Sequence, residues 1–373
     1  MQAVKSAYIH IPFCVKICTY CDFNKYFIQH QPVDDYLTCL IKEMSWAKEK
    51  NLTTMFVGGG TPTALSEAQL ERLLSAIQAK FNISEEYTFE ANPDELTEEK
   101  VALLKKYGVN RLSLGVQTFD EDLLKLLGRS HQRADIYSAV RNARKYGIPS
   151  ISLDLMYQLP GQTMDQFEES LNEALSLEVD HISSYGLILE KQTQFYNLYQ
   201  KGKLSEPNED LGAEMYHFMI DKLAQHDLQQ YEISNFAKEG HASEHNKVYW
   251  KNESYYGFGA GASGYVNGVR YSNINPVNHY IDEVKKGNAP IRTEEKVSLK
   301  EQIEEEMFLG LRMNQGVSKA RFKEKFGHDI NEYYHKELQT LEAKNLIDNT
   351  PTHVMLTEEG RVIGNYVFET FIG

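Results

Sequence analysis

Cysteine is scarce in this chain, with four among 373 residues. That number is too small for a disulfide-stapled scaffold. The charged, acidic composition shows no secretory leader and predicts a cytoplasmic protein whose thiols stay reduced. No second C-x2-C follows the first, so the paired knuckles of a structural zinc site are missing. No apolar run reaches the roughly eighteen residues of a transmembrane helix, which limits any membrane contact to a transient one. Basic charge is also short: 39 Lys and Arg against 53 Asp and Glu leave a net charge of −14. Phosphate backbones call for the opposite bias, so nucleic acid is not an expected partner. Low-complexity segments and short-period repeats are absent too.

The cysteines that are present are concentrated. Cys14, Cys18 and Cys21 fall within YIHIPFCVKICTYCDF (8–23) at a spacing of C-x3-C-x2-C. Thiolates are soft ligands suited to iron–sulfur clusters, and a 4Fe-4S cube held by only three of them keeps one iron open to another ligand. Zinc and a disulfide are the competing readings of the same three residues. The fourth, Cys39, lies in a helical pattern and reads as a small packing residue.

Short apolar runs alternate with amphipathic ones from Ala3 to about Ser183. The runs fall at 7–11, 54–59, 87–91, 111–117, 150–157 and 181–188; each is rich in β-branched or aromatic residues and bounded by Gly, Pro or Asn. Helical patterns lie between them, as at 33–49 and 164–178. Six β-α units predict an α/β fold with a parallel sheet and right-handed crossovers. Periodicity leaves open whether that sheet is flat or curled. In either case a ligand site is expected at the carboxyl ends of the strands. GGGTP (58–62), Glu90, Gln117, Asp154 and Tyr185 with Gly186 all stand at or near those ends. KGKLSEPNED (201–210) reads as a loop, 211–224 as a helix and YEISNFA (231–237) as a strand.

Six sequence words occur in order: YIHIPFC with its cysteine triplet, GGGTP, GVQTF (115–119), GRSH (128–131), DLMYQLPGQT (154–163) and YEISNFA. C-x3-C-x-Φ-C with an aromatic Φ, here Tyr20, is similar to the cluster motif of radical S-adenosylmethionine (SAM) proteins. Together the words resemble the HemN/HemW group, the oxygen-independent coproporphyrinogen oxidases and their heme-chaperone relatives, along nearly the whole chain. The resemblance implies a partial (β/α)6 barrel over residues 1–200, an added α+β segment over 201–290 and a winged-helix-like domain over 291–373. It further implies a 4Fe-4S cluster on Cys14, Cys18 and Cys21, with SAM on the open iron as the source of a deoxyadenosyl radical. Tyr8, Tyr20, Gly59, Gly60, Thr61, Glu90, Gln117, Arg129, Asp154 and Gly186 match the SAM-binding positions, and Ser263 in the glycine-rich segment YYGFGAGASGYV (255–266) is a further contact. A tight turn remains the alternative reading of the three glycines.

One departure from the group's pattern directs the functional expectation. The oxidases carry another cysteine two residues after the third, and this chain has Phe23 there. With the cluster loop beginning at residue 14, no room is left for the oxidases' N-terminal extension. The resemblance therefore narrows to the heme-chaperone branch, which binds heme and hands it to acceptor proteins, a reductant protein being a second partner. Oxidative decarboxylation of coproporphyrinogen III, or other radical SAM chemistry on a tetrapyrrole, is the alternative. His245, in HNKVYW (245–250), is the leading axial heme ligand, with His131 and His241 behind it and His10 structural. Residues 291–373 carry 11 Lys and Arg against 15 Asp and Glu, which favours a lid or docking module over a DNA reader.

Overall fold

Alternation along each strand decides which side of the sheet a residue occupies. In Arg111–Gln117, Leu112, Leu114 and Val116 are fully buried beneath helices, while Ser113, Gly115 and Gln117 line a cavity on the opposite face. The first strand does the same, with Ala7, Ile9 and Ile11 buried and Tyr8 and His10 facing the other way. A polar inner face and an apolar outer face are thus written into the strands themselves.

The computed structural model describes residues 3–205 and 208–373. Glu206 and Pro207, within the loop expected at 201–210, lie outside the described residues. The main sheet comprises β1 (Ser6–Ile11), β2 (Asn51–Gly59), β3 (Asn82–Ala91), β4 (Arg111–Gln117), β5 (Ser150–Tyr157), β6 (His181–Gly186), β7 (Gln229–Glu232), β8 (Asn235–Ala237) and β9 (Tyr256–Phe258). Their order is β9-β1-β2-β3-β4-β5-β6-β8-β7. The pairs from β9 to β6 are parallel, and β8 is antiparallel to both β6 and β7. Helices Val33–Ser45, Glu67–Lys80, Glu98–Lys106, Arg133–Lys145 and Met164–Ser176 bridge the successive parallel strands. Two of them start on reciprocal caps, Ser66 with Gln69 and Thr163 with Gln166, which satisfy the free N–H groups of the first turn.

The architecture is the expected α/β radical SAM fold, with three corrections of detail. The sheet has nine strands, because Tyr256–Phe258 pairs in parallel outside β1. YEISNFA is a hairpin, not one strand: the Glu232 carboxylate accepts the Ser234 N–H at 3.0 Å and turns the chain back. Segment 201–290 adds Met215, Phe236, Phe258 and Tyr280 to one apolar core shared with the N-terminal strands. Ile291–Lys296, expected in the C-terminal part, instead pairs with Val269–Asn273, which also pairs with Ser263–Val266.

A second apolar core holds the C-terminal region, with Met307, Phe322, Leu341 and Val354 at its centre. Its order is helix Leu299–Gly310, strand Val317–Ser318, helices Lys319–Phe326 and Ile330–Ala343, then strands Ile347–Asn349 and His353–Leu356. That succession is the winged-helix order expected from sequence. No helix among the described residues is long and apolar enough to cross a membrane.

Candidate functional site

The cysteine loop follows β1 and is fastened to the sheet at several points. His10 joins it from β1, with Nε2 2.8 Å from the Asn24 carbonyl oxygen and Nδ1 2.9 Å from the Tyr8 hydroxyl. Gly60 N–H donates to the Ile11 carbonyl at 2.9 Å and Thr61 N–H to that of Phe13 at 2.8 Å. Thr19 N–H donates to the Leu127 carbonyl at 3.0 Å, and Lys25 donates to that of Cys21.

Cys14, Cys18 and Cys21 line one cavity together with Tyr20, Gly59, Gly60, Thr61, Glu90, Gln117, Arg129 and Asp154. Residues distant in sequence thus meet at the carboxyl ends of β1 to β5. Tyr8 lines an adjoining inner chamber that shares Glu90, Ser113 and Asp154 with the first. Gln117 stands at a register shift with φ of 68°, a left-handed backbone that a non-glycine residue adopts only when its surroundings hold it there.

Among the described residues, no three His, Cys, Asp or Glu side chains converge closely enough for a single metal ion. Zinc would draw its sulfur ligands to about 2.3 Å. Three soft thiolate donors lining one cavity match the donor set of an iron–sulfur cluster. Burial pushes the Cys14 thiol up to about 12, only partly offset by the Thr61 hydroxyl 3.7 Å away, and burial also raises Cys21 against the pull of Lys25. Ligation by these thiols must therefore release protons.

Two buried carboxyl groups, Glu90 and Asp154, share the lining with Lys16, Lys25 and Arg129. Burial raises Glu90 to about 8, opposed by the Gly59 N–H at 2.9 Å and reinforced by Asp154. Burial lifts Asp154 to about 6 although the Ser113 hydroxyl donates to it at 2.9 Å. Arg129 is already committed, to Asn92 Oδ1 at 2.6 Å, the Gly115 carbonyl at 2.5 Å and Cys18 Sγ at 3.4 Å.

The glycines of GGGTP are required by the protein's own packing. A Cβ at Gly58 would stand 2.7 Å from the Glu90 carboxyl, and one at Gly59, where φ is +116°, 2.4 Å from the His10 ring. At Gly60 it would come within 2.8 Å of the Phe13 backbone and 3.0 Å of Cys14 Sγ. Gly59 and Gly60 still line the cavity, so close approach of a ligand and close packing coincide there.

Three expected site residues are not brought to this cavity. Gly186 packs beside Tyr157 and Gln158 at the end of β6. Ser263 is exposed and pairs with Ser272 in the three-stranded sheet. His245 is fully buried, with Nδ1 2.8 Å from Thr54 Oγ1 and Nε2 2.9 Å from the Tyr249 hydroxyl. Burial also drives its pKa down to about 3, so the ring is neutral and both nitrogens are in use. The axial-ligand role expected for His245 is corrected accordingly: the fold presents none of its lone pairs to a heme. His131 is buried with Nε2 3.1 Å from the Val116 carbonyl, and His241 Nδ1 lies 3.3 Å from the Ser150 hydroxyl.

HNKVYW forms helix Glu244–Trp250, capped by Ser243, with the Glu86 carboxylate accepting the N–H groups of Glu244 at 2.8 Å and His245 at 3.1 Å. Its Asn246 and Tyr249 line the inner chamber, neither of which sequence reasoning placed there. Asn92 was also missed. It links Thr61, at 3.3 Å, to Arg129, and its place directly after β3 is the signal that could have found it.

Residues 8–174 match the model of the radical SAM superfamily, and residues 297–363 that of the HemN C-terminal domain. The chain is 52% identical to heme chaperone HemW of Bacillus subtilis, over 99% of this chain and 100% of that protein. It is 45% identical to heme chaperone HemW of Lactococcus lactis, over 100% of this chain and 98% of that one. Coproporphyrinogen III oxidase (HemN) from Escherichia coli, a solved structure at 23% identity, shares the fold with a TM-score of 0.86 over 99% of this chain and 90% of its own. Identity at this level over the full length, on a barrel whose three motif cysteines open into one cavity, establishes that the chain belongs to the HemW family of the radical SAM superfamily.

Proposed function

We propose that this protein is a heme chaperone of the HemW type, which binds heme, a 4Fe-4S cluster and SAM and passes heme to acceptor proteins. The observation that carries the reading is its 52% full-length identity to a protein of that name, joined to Phe23 where the resembling oxidases have a further cysteine. The fold likeness to HemN concerns architecture alone.

In this reading Cys14, Cys18 and Cys21 hold the cluster, and Gly59, Gly60, Thr61, Glu90, Gln117, Arg129 and Asp154 hold SAM. When bound, the cluster and SAM supply one-electron chemistry. The chain's own residues position and exclude. Glu90 and Asp154 offer acceptors to hydroxyl and ammonium groups of a cationic ligand, and such a ligand would in turn favour their ionised forms. Arg129, held by Asn92 and the Gly115 carbonyl, fixes the loop that carries Cys18. Tyr8, stacked on Phe56 with centroids 6.1 Å apart, closes the inner chamber.

The test is anaerobic reconstitution of the cluster followed by two measurements. Titration with heme should produce a Soret band that saturates at stoichiometric heme. Coproporphyrinogen III, supplied with SAM and a reductant, should yield no protoporphyrinogen. Turnover of coproporphyrinogen would replace the chaperone reading with an oxidase.

A further inference from the structure

Where the heme would sit is a separate question, because His245 is closed to it. A cleft of about 760 Å³ opens between the end of β5, helix Glu209–Ala224 and the C-terminal helices Glu358–Val362 and Gly364–Glu369. Sites for small organic ligands run to roughly 300–1,000 Å³, so the space suits a molecule of porphyrin size.

The cleft contains two arginines, Arg312 and Arg361. Arginine ion pairs among the described residues are made by Arg72, Arg133, Arg144, Arg270 and Arg321, not by these two. The Nε of Arg312 is buried with no hydrogen-bond partner. Its guanidinium lies over the Trp250 ring at 4.5 Å, with the Phe368 ring at 5.9 Å. Arg361 donates only to the Leu356 carbonyl, at 3.2 Å, among the described residues. Both charges and the Glu232 carboxylate act on the hydroxyl of Tyr216, so the three gather around one part of the cleft. Arg312 has the buried Glu232 carboxylate nearby, yet neither arginine makes a direct ion pair among the described residues, so both guanidinium groups keep donors free for the carboxylates of a ligand.

Ile233, Ile363 and Phe368 supply apolar wall, and Ile363 is 46% exposed with no covering element. Glu209 and Asp210 line the same cleft, so an anion must be oriented here and not merely attracted. A ligand with an apolar face and carboxylates at one edge meets all of these conditions. No histidine lines the cleft.

Resting on the heme-chaperone reading, we propose that heme is held in this cleft, its propionates on Arg312 and Arg361 and its ring against Ile233, Ile363 and Phe368. Trp250 then acts as a positioning residue that stacks on Arg312. HNKVYW would serve heme through its last residue, whereas its histidine locks the helix to β2 through Thr54.

The experiment titrates heme and heme dimethyl ester, which lacks the carboxylates, into the full cluster-loaded chain and into R312Q/R361Q, reading the Soret band. The double variant should bind heme about tenfold or more weakly with unchanged cluster iron, as expected for loss of charge-assisted contacts. The wild type should prefer heme to its ester by a similar factor, and the variant should not. Equal heme affinity in both proteins, or no preference against the ester in the wild type, overturns this site while leaving the chaperone reading intact. A wild type that takes up no heme overturns both. If R312Q/R361Q loses cluster iron and so fails to fold, the ester comparison on the wild type decides.

Discussion

The cysteine-lined cavity and the C-terminal cleft differ in how their charged groups are held. Glu90 and Asp154 sit buried in the first with raised pKa values, and its arginine is committed to Asn92, a backbone carbonyl and a thiol. The second offers Arg312 and Arg361, which make no direct ion pair among the described residues although Glu209 and Asp210 share the cleft. A site with desolvated carboxyl groups favours a ligand with positive charge and hydroxyls; a site with spare guanidinium groups favours a carboxylate. Under the proposed function, SAM and heme would then occupy separate pockets of one chain. The two sites are separable by mutation if this division is real.

The largest expected effect comes from replacing Cys14, Cys18 and Cys21 together with alanine. Protein iron and acid-labile sulfide should fall to near zero, while heme uptake at the cleft persists. Loss of heme binding along with the iron would mean that the regions act as one.

Next in size is the pH dependence of the cysteine-lined side. An unperturbed glutamate titrates near 4.5, and Glu90 in the fold near about 8. Between those values the folded chain retains a proton that the unfolded chain has released, so stability falls as pH rises through the window. Glu43 at about 7 and Asp154 at about 6 contribute in the same direction. Burial lowers His10, His131, His181 and His245, which act in the opposite sense below about 6.5, so the melting temperature of the cluster-free protein should decline above that point, from pH 7 to 8. Glu90→Gln keeps an acceptor for the Gly59 N–H and has no proton to lose, so it should make the decline shallower by up to about 1.4 kcal/mol for each pH step of one within that window. A variant that declines as steeply as the wild type would show that Glu90 ionises freely and that the contrast between the two sites is overstated.

Much of this was legible in the sequence, for physical reasons. Six buried parallel strands announce themselves as β-branched runs, and the cysteine spacing has few other uses. The resemblance named Glu90, Gln117 and Asp154, and all three stand at or near strand ends, where a ligand site is expected. What escaped was information carried by tertiary contact. Ser113 looks like any strand serine until alternation shows which face it takes. His245 sits in a motif whose chemistry suggested ligation, yet its role is set by Thr54 and Tyr249, one of them 191 residues away in sequence. β9 is three residues long and carries no pattern strong enough to announce a strand.

His245→Ala tests that last assignment more gently. Removing a fully buried ring with two hydrogen bonds should cost about 2–4 kcal/mol of stability. Heme stoichiometry of the folded fraction should not change. Loss of the Soret band at unchanged melting temperature would restore the histidine as a ligand and undo the separation between helix anchor and heme cleft.

The smallest effect is expected where the two branches of the resembling group differ. Phe23 lines the rim of the cysteine cavity and is 68% exposed, so Phe23→Cys removes little buried surface and should alter stability by no more than about 0.5 kcal/mol. The variant reproduces the four-cysteine spacing of the oxidases. A thiol at the rim nevertheless adds no cationic group for the propionates of a porphyrinogen, and Asp154, at about 6, is ionised near neutral pH and repels them. Coproporphyrinogen III incubated anaerobically with SAM, reductant and Phe23→Cys should therefore remain unconverted, with heme uptake as in the wild type. Formation of protoporphyrinogen would show that one exposed residue divides oxidase from chaperone, and that the cavity accepts the very anions Asp154 is expected to exclude.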